Sequence, residues 1–538
     1  MNILAINFNH DGASAVLRNG ELAGYVSTER FSRRKKHPGV RTSDLHNLLD
    51  QAGLSASQLD LVQLLNLNNM DSPDVVQLHG GDLKETWPDF WVNASFSRVN
   101  LLGSVLPCEV LQYPMHHATH AAASYFFSPF DSAVSFACDP LGAEAYFLRG
   151  TERLPCPAAR PLVAPHVYNL AAAHLFGTGL MGAGKLMGLA PYGAGVRAAN
   201  YASLSGLMPE MALRRLMEIA ARDPAPVREG DRVLDAALAY HAQAFLEFEL
   251  TAVFEELYVT GRRLGIEPNL CFSGGTALNS VANQRCFEAS RFERLYLHPA
   301  CGDDGTPIGA ALLAWHHVFG QPKVTRSNST AMYSCRVYDD SVAATVARFA
   351  DRVVTSPVAD DLGEAASMIA DGKVIGWFQG ASEIGPRALG NRSILADPRN
   401  PAMKHHLNAH VKRREGFRPF APSVLREYAD EWFGIDDSPF MLRVAPVRRK
   451  SEVPAIAHVD GTARVQTVAP VDNPRYHALI ARFHEMTGIP MVLNTSFNGR
   501  DEPIVETPAD AIECMLQTGL DAVVFPGLVV KPRCQRRA

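Results

Sequence analysis

Hydrophobic and polar positions alternate with period two from the first residues. NILAINF, ASAVLRNG and ELAGYVSTERFS are separated by the polar breaks NHDG and Asn19-Gly20, which predicts a three-strand meander with a tight Asn-Gly turn. A helical period over Ser43–Gly53, with Ser43 as cap, precedes a strand over Leu59–Leu67. Residues 68–107 carry Trp, Asp and Asn without a period and read as a loop-rich insertion. Strand-like CEVLQYP leads into a helix, HHATHAAASYFF, and a strand, SAVSFACD. Two hairpin strands reach about Gly150, and a Pro-rich passage runs to Val167. From Ala171 to Gly265 the spacing is mostly helical, longest in HAQAFLEFELTAVFEELYVTGRRLG. NLCFSGG, TALNSVANQRC, RLYLHP and GTPIGAALLAWHHVFG then alternate strand and helix. Residues 319–345 are polar and hold the expected linker. After it VIGWFQG opens a second α/β unit that continues to PMVLNTSF and DAVVFPGLVV. Strand–helix alternation after an opening meander fits an α/β domain built around nucleotide-binding turns.

Composition narrows the class. A chain of 538 residues is too long for one ordinary core, so two or more domains are expected. A hydrophobic content of 47% and a charged content of 20% are those of a globular protein, and the net charge of −5 argues against a general nucleic-acid binder. No apolar run approaches membrane-spanning length, and the first residues lack the features of a signal peptide. Nine scattered cysteines form no CxxC pair and are expected to be reduced, which points to the cytoplasm.

One stretch departs from that acidic balance. Between Arg387 and Arg418 stand Arg387, Arg392, Arg399, Lys404, Lys412, Arg413, Arg414 and Arg418, against only Asp397 and Glu415. Apolar residues threaded among the bases mark the segment as folded, and guanidinium forks suit phosphate or carboxylate oxygens. Gly380, Gly385 and Gly390 would let backbone N–H groups approach an anion. A solvated basic face is the bland alternative, and the interleaved glycines favour a phosphate pocket over it.

Other candidate chemistry is spread along the chain. His116 and His120 stand four apart on a helix, so both rings leave one face. Asp139 ends the next strand and Asp303 opens a helix, and a His/His/Asp/Asp set suits Fe2+, Mn2+ or Zn2+ better than Ca2+. Ser273-Gly274-Gly275-Thr276-Ala277-Leu278-Asn279 sits between strand and helix, where N–H groups can hold an anion or nucleotide. The turn Asn9-His10-Asp11-Gly12-Ala13 is a second such position. GLMGAGK, ending at Lys185, resembles a P-loop but is followed by Leu186 where a Ser or Thr would bind magnesium; Walker-type binding is rejected, and Lys185 is kept as a nucleotide contact of another kind. Asn494-Thr-Ser496-Phe-Asn498 ends an apolar strand and could orient phosphate or a carbonyl.

Taken in order, HHATHAA, GKLMGLAPYG, SGGTALN, GDDGTPIGAA, GPRALGNRSILADPRNP, KRREGFRPFAPSV and NTSFN resemble the nodulation-U / cephamycin-type O-carbamoyltransferase family, of which tobramycin carbamoyltransferase is a member. The resemblance covers nearly the whole chain. It implies an N-terminal Kae1-like domain of the actin-like ATPase (ASKHA) superfold over residues 1–325, a linker over 326–345 and a C-terminal YrdC-like α/β domain over 346–538. It further implies that the C-terminal domain binds carbamoyl phosphate and ATP, with Mg2+, and forms carbamoyladenylate. The N-terminal domain then moves the carbamoyl group to a hydroxyl and releases AMP. By motif, His116, His120, Asp139 and Asp303 resemble the metal ligands, usually iron in this family, and Gly274, Gly275 and Asn279 resemble the nucleotide turn. Arg387, Lys412, Arg418, Ser496 and Asn498 resemble the carbamoyl-phosphate and adenylate pocket. His10 is the candidate base, and Lys35 or the metal the candidate cation at the carbonyl oxygen. The family usually has glycine after the ligand Asp139, whereas Pro140 follows here, and Ala143-Glu144-Ala145 conforms only in part.

The rival functions are a threonylcarbamoyl-type tRNA-modifying enzyme, against which the net charge counts, and a nucleotide-gated, non-enzymatic protein on the actin-like fold, which leaves the second anion pocket without a purpose. The expected acceptor is a hydroxylated small molecule of secondary metabolism, with a polyketide, macrolide or sugar favoured over a cationic aminoglycoside. That preference comes from Trp87, Phe90, Trp91 and Phe96 in the insertion. No nucleic-acid or membrane partner is expected, and a homodimer is compatible with the sequence.

Overall fold

The computed structural model describes residues 1–67, 98–111, 115–155 and 160–533. The aromatic residues 87, 90, 91 and 96 of the insertion lie outside them. Strands β1 (Asn2–Asn7), β2 (Ala13–Arg18), β3 (Glu21–Ser27), β4 (Leu61–Leu65), β5 (Arg98–Leu101) and β6 (Ser104–Leu111) form one sheet in the order β3-β2-β1-β4-β6-β5. The first three are an antiparallel meander, while β4 and β6 add parallel to β1. Asn19 and Gly20 both adopt positive φ at the β2–β3 turn, as an Asn-Gly pair can.

The next part repeats that path. Strands β7 (Ser132–Asp139), β8 (Gly142–Arg149) and β9 (Glu152–Leu154) form a second antiparallel meander, and a short hairpin, β10 (Pro226–Glu229) with β11 (Arg232–Asp235), stands apart. Strands β12 (Asn269–Ser273) and β13 (Arg294–Leu297) then add in parallel, giving the order β13-β12-β7-β8-β9. Two sheets with the same meander-plus-parallel path are the duplicated architecture of the actin-like ATPase superfold. The helices His116–Phe127 and Thr306–Leu313 pack on each other at the heart of the largest core.

Residues 353–532 build a third, nine-stranded mixed sheet. Its members are β14 (Val353–Pro357), β15 (Ile375–Phe378), β16 (Arg392–Ala396), β17 (Ala421–Leu425), β18 (Arg443–Pro446), β19 (Thr462–Val468), β20 (Met491–Ser496), β21 (Ala522–Phe525) and β22 (Leu528–Pro532). They run in the order β14-β22-β21-β15-β16-β20-β17-β19-β18 around a core holding Trp377, Trp432 and Tyr476. The helix Asn328–Met332 and its flanks join the parts: Arg326 donates to the Phe126 and Gly20 carbonyls, and Tyr333 Oη donates to the Leu389 carbonyl.

Several local expectations shift. The helix expected from Ser43 begins at Thr42, and its start is held by Asp44, whose carboxylate accepts from the Arg41 backbone and guanidinium. The expected irregular passage to Val167 is already helical from Ala164, because Pro165 fits the first helical turn. Of the loop-rich insertion, residues 98–107 belong to the β5–β6 pair. Among the described residues no helix is long and apolar enough to cross a membrane, and the seven described cysteines are free thiols.

Candidate active site

The two meander sheets deliver polar side chains to one place. His116 and His120, one turn apart, bring their Nε2 atoms to 3.2 Å. Asp139 at the end of β7 puts Oδ2 3.3 Å from His116 Nε2 and 3.0 Å from His117 Nε2, while Asp303 Oδ1 lies 3.3 Å from His120 Nε2. His116, His120 and Asp139 are buried and their donor atoms converge on one point, and Asp303 closes the set from the start of the neighbouring helix. Burial penalises the Asp139 and Asp303 carboxylates, but the histidines outweigh it and hold both well below the usual range. Burial lowers His120, whereas at His116 the pull of Asp303 and Asp139 overcomes burial and raises it. Two imidazoles and the Asp139 carboxylate around one point, with Asp303 beside the histidines, fit a divalent cation of borderline softness. Pro140 sits in the two-residue turn between β7 and β8, where Asp139 Oδ1 accepts from the N–H groups of Leu141 and Gly142. A proline needs no N–H there, so its presence leaves the carboxylate in position.

Around this cluster lie the expected base His10, the expected cation Lys35 and neighbours without an expected role. His10 Nδ1 is 2.9 Å from Asp11 and its Nε2 3.8 Å from Asp303; burial opposes its charge, yet Asp11 raises it. Lys36 pairs with Asp11 at 2.7 Å, and Asn9 donates to Asp303 at 2.5 Å, while Lys35, the expected cation at the carbonyl oxygen, lines the nearby cavity. Lys35 is held below its usual value by burial. Asp304 is pushed up to about 7 by burial, with Asp11 adding to the shift.

A cavity of about 370 Å³ runs from Asp11, Lys35, Lys36 and Asp304 to Arg387, Arg414, Arg418 and Arg464. Four guanidinium groups share that wall; Arg418 lies 3.6 Å from Glu415, whose charge also reaches Arg414. Burial lowers Arg387 to about 10, and Arg418 adds to that; burial and the surrounding arginines push Arg414 and Arg464 down as well. Mutual repulsion of desolvated cations is relieved by an anion of several charges. Lys412, fully enclosed, donates to Ser496 and to Asn498 Oδ1, the latter at 2.6 Å, so these three expected residues meet. Arg464, on β19, lies outside the expected set. Its neighbours in sequence are ordinary strand residues, so no motif pointed to it.

Other expected residues are engaged elsewhere. Arg392 is fully buried and donates to the Gln379, Gly380 and Glu506 carbonyls, and Arg399 pairs with Asp397; both support the fold rather than the cavity wall. Gly385 lines the cavity and also packs against the N-terminal part, where a Cβ would sit 2.4 Å from the Pro299 carbonyl. Gly274 has φ +85 and a Cβ there would meet the Cys138 carbonyl at 2.2 Å, so this turn admits only glycine. Gly275 has open space at its Cβ position. Asn279 caps the helix Ser280–Glu288 and exchanges hydrogen bonds with Gln243. Lys185 forms an ion pair with Glu415 at 2.8 Å, tying the helix Gly179–Leu189 to the arginine wall.

A duplicated scaffold that carries a histidine–aspartate cluster thus shares a guanidinium-lined cavity with a second α/β part. Residues 99–312 match the carbamoyltransferase N-terminus and residues 366–531 the carbamoyltransferase C-terminus. The chain is 33% identical to nodulation protein NolNO of Sinorhizobium fredii, covering 98% of this chain and 79% of that one. It is 29% identical to the 3'-hydroxymethylcephem-O-carbamoyltransferase of Amycolatopsis lactamdurans, covering 97% and 98%. Among solved structures, the activator of the 2-hydroxyisocaproyl-CoA dehydratase from Clostridium difficile with bound ADPNP matches at 13% identity and a TM-score of 0.35, over 60% of this chain and 96% of that one. The chain belongs to the carbamoyltransferase family and is a carbamoyl-transfer enzyme.

Proposed function

We propose that this protein is an ATP-dependent O-carbamoyltransferase that carbamoylates a hydroxyl of a small natural product. The observation that carries this reading is one cavity with a repulsive guanidinium wall at one side and, at the other, Asp11 and Lys36, which adjoin His10 and the histidine–aspartate cluster. In the first stage, water cleaves carbamoyl phosphate to carbamate and phosphate. A carbamate oxygen attacks the α-phosphorus of ATP, and pyrophosphate leaves. Arg387, Arg418 and Lys412, joined by Arg414 and Arg464, hold the phosphates and offset the charge that builds on them, while Ser496 and Asn498 orient Lys412. In the second stage the acceptor hydroxyl attacks the carbamoyl carbon, its proton passes to His10, and AMP leaves. Asp11 holds His10 at Nδ1, which turns Nε2 towards Asp303 and the cluster. His116, His120, Asp139 and Asp303 would hold a divalent metal, Fe2+ for preference, with Mn2+ or Zn2+ also suited, whose charge would favour a developing oxyanion. The Gly274 turn is the nucleotide contact of the N-terminal part, with Gly275 and Asn279 flanking it.

Leu180, Met181, Met187, Val281, Met441 and Val444 also line the cavity, which supports an acceptor with substantial apolar surface such as a polyketide, macrolide or sugar-bearing product. The test is AMP formation from ATP that depends on both carbamoyl phosphate and an added hydroxyl acceptor, with the carbamoylated product identified by mass. A panel of glycosylated macrolides beside tobramycin decides the acceptor class. Turnover of tobramycin alone would reverse the preference, and absence of carbamoyl-phosphate-dependent pyrophosphate release would overturn the reaction.

A further inference from the structure

Arg414 and Arg418 share one short loop of the cavity wall, where burial and then the Arg418 charge push Arg414 down. Two such cations on a loop repel and would swing apart unless something holds them. The loop begins where a short helix, Met403–His406, runs into a single π-helical turn, Leu407–Val411. Arg413 follows at a φ of +44, a left-handed position that glycine usually fills, and the Arg414 N–H returns to the Asn408 carbonyl at 2.9 Å. Asn408 itself is 2% exposed, and its side-chain amide meets the loop three times. Oδ1 accepts from Arg414 Nε at 2.8 Å, while Nδ2 donates to the Arg418 carbonyl at 3.0 Å and to the Gly416 carbonyl at 3.4 Å. Arg414 is steadied further by the Pro419 carbonyl, 3.3 Å from its Nη2, and by the Phe420 ring, 4.8 Å from its Cζ.

The amide suits both demands: one end accepts from a guanidinium, and the other donates to carbonyls. An aspartate of the same size would keep the first contact, lose the second and set a negative charge against Arg414. We propose that Asn408 is the positioning residue of the arginine wall, holding Arg414 by its side chain and Arg418 by its backbone before a polyanion arrives. Donors fixed in advance need no reorganisation when phosphate binds. This inference rests on the reading of the wall as the phosphate site and adds to it a residue that touches no substrate. The outer side of the loop is held separately by the N-terminal part. There the Gly416 N–H donates to Glu229 Oε1, on β10, at 2.9 Å, and Phe417 is buried beside Phe176 and Tyr192. Removing the Asn408 amide therefore leaves the loop docked and frees its inner face.

The test uses the full-length protein, with pyrophosphate, the polyanion that the proposed reaction releases, as the probe in calorimetry. Asn408→Ala is expected to weaken pyrophosphate binding about tenfold, the scale of a lost hydrogen bond to a charged group. Asn408→Asp should weaken it about a hundredfold, because its carboxylate competes with phosphate for Arg414. Pairing with Arg414→Met separates positioning from general damage to the fold. In that background Asn408→Ala should weaken binding by about threefold at most, the share left to Arg418. Should Asn408→Ala fail to fold, Asn408→Asp with and without Arg414 carries the same comparison. Folded variants that bind pyrophosphate like wild type overturn the inference. So do a loss that is the same with and without Arg414, and a wild type that does not bind pyrophosphate. A loss of binding that depends on Arg414, in a protein that releases no pyrophosphate from ATP with carbamoyl phosphate, would uphold Asn408 and overturn the adenylate-forming reaction instead.

Discussion

The arginine wall lines one end of the cavity, and the histidine–aspartate cluster stands behind Asp11 and Lys36 at the other; the two are built on opposite electrostatic principles. In the first, charges of both signs meet: Asp139 and Asp303 each lie beside histidines, and the carboxylates stay ionised although buried. The cluster is largely satisfied by its own members and stands ready to exchange protons for a cation. In the second, like charges crowd together, and burial together with neighbouring guanidinium groups destabilises Arg414 and Arg464. A group of donors that repel one another gains most when a polyanion arrives. The lesson is that a ligand's charge can be read from which groups the empty site leaves unbalanced, more securely than from the number of polar residues.

The sharpest way to break this comparison is to remove one cation that has no substitute. Lys412 is enclosed by Ser496 and Asn498 and has no carboxylate partner among the described residues. Lys412→Ala should reduce carbamoyl-phosphate-dependent pyrophosphate release by about a thousandfold, the scale of a lost charge-assisted contact at a developing charge. Transfer from chemically supplied carbamoyladenylate should persist. A rate near wild type in the first assay would remove Lys412 from the phosphate site.

The converse experiment strikes the other region. His120→Ala deletes one nitrogen of the cluster while leaving the arginine wall intact, and should cost about a hundredfold or more in metal affinity and in carbamoyl transfer. Pyrophosphate release should stay within about threefold, because the wall lies in a separate part of the fold. Equal metal content in wild type and variant, by elemental analysis, would refute the ligand assignment.

How much of this was legible beforehand follows the same divide. His116 and His120 announce themselves by a four-residue spacing on a helix, and the meander strands by alternation with an Asn-Gly turn. The basic run from Arg387 to Arg418 was visible as a charge anomaly, yet charge alone could not separate its members. Arg392 is spent on backbone carbonyls and Arg399 on Asp397, whereas Arg464, from a strand some fifty residues away in sequence, completes the wall. Lys35 and Lys36 are adjacent, and only the backbone path, with Lys36 at positive φ, decides which reaches Asp11. The carbonyl of Pro299 dictates Gly385 from far along the chain. Local pattern records elements and spacings; it does not record which side chain tertiary packing turns inward.

A smaller, pH-dependent effect sharpens the picture of the acidic side. Asp304 is an exception there, pushed by burial from 3.8 to about 7. A carboxyl whose folded value lies above its unfolded one favours the folded state below about pH 4, and this contribution is lost as pH rises towards 7. Asp304→Asn never acquires the buried charge. In metal-free protein, its melting temperature should match wild type near pH 4 and exceed it by about 5 °C near pH 7. A constant difference across that range would show that Asp304 titrates alike in the folded and unfolded protein and is not perturbed.

The smallest expected effect concerns the tie between the two regions. Lys185 reaches from the helix Gly179–Leu189 to Glu415, which also lies 3.6 Å from Arg418. Both partners are partly open to solvent, with side-chain exposures of 26% and 19%, so the pair resembles a surface bridge more than a buried one. Lys185→Met keeps the aliphatic stem and removes the charge, and should lower stability by less than about 1 kcal/mol. Its effect on activity separates two roles. If Lys185 contacts nucleotide, the KM for ATP should rise about tenfold or more while the melting temperature barely moves. If Lys185 serves only to hold Glu415, the Glu415 carboxylate, freed from Lys185, would turn wholly to Arg418 and weaken its hold on phosphate, so that the KM values for carbamoyl phosphate and ATP rise together. The two outcomes are told apart by Glu415→Gln in the same background, which restores phosphate affinity in the second case and leaves the ATP defect untouched in the first.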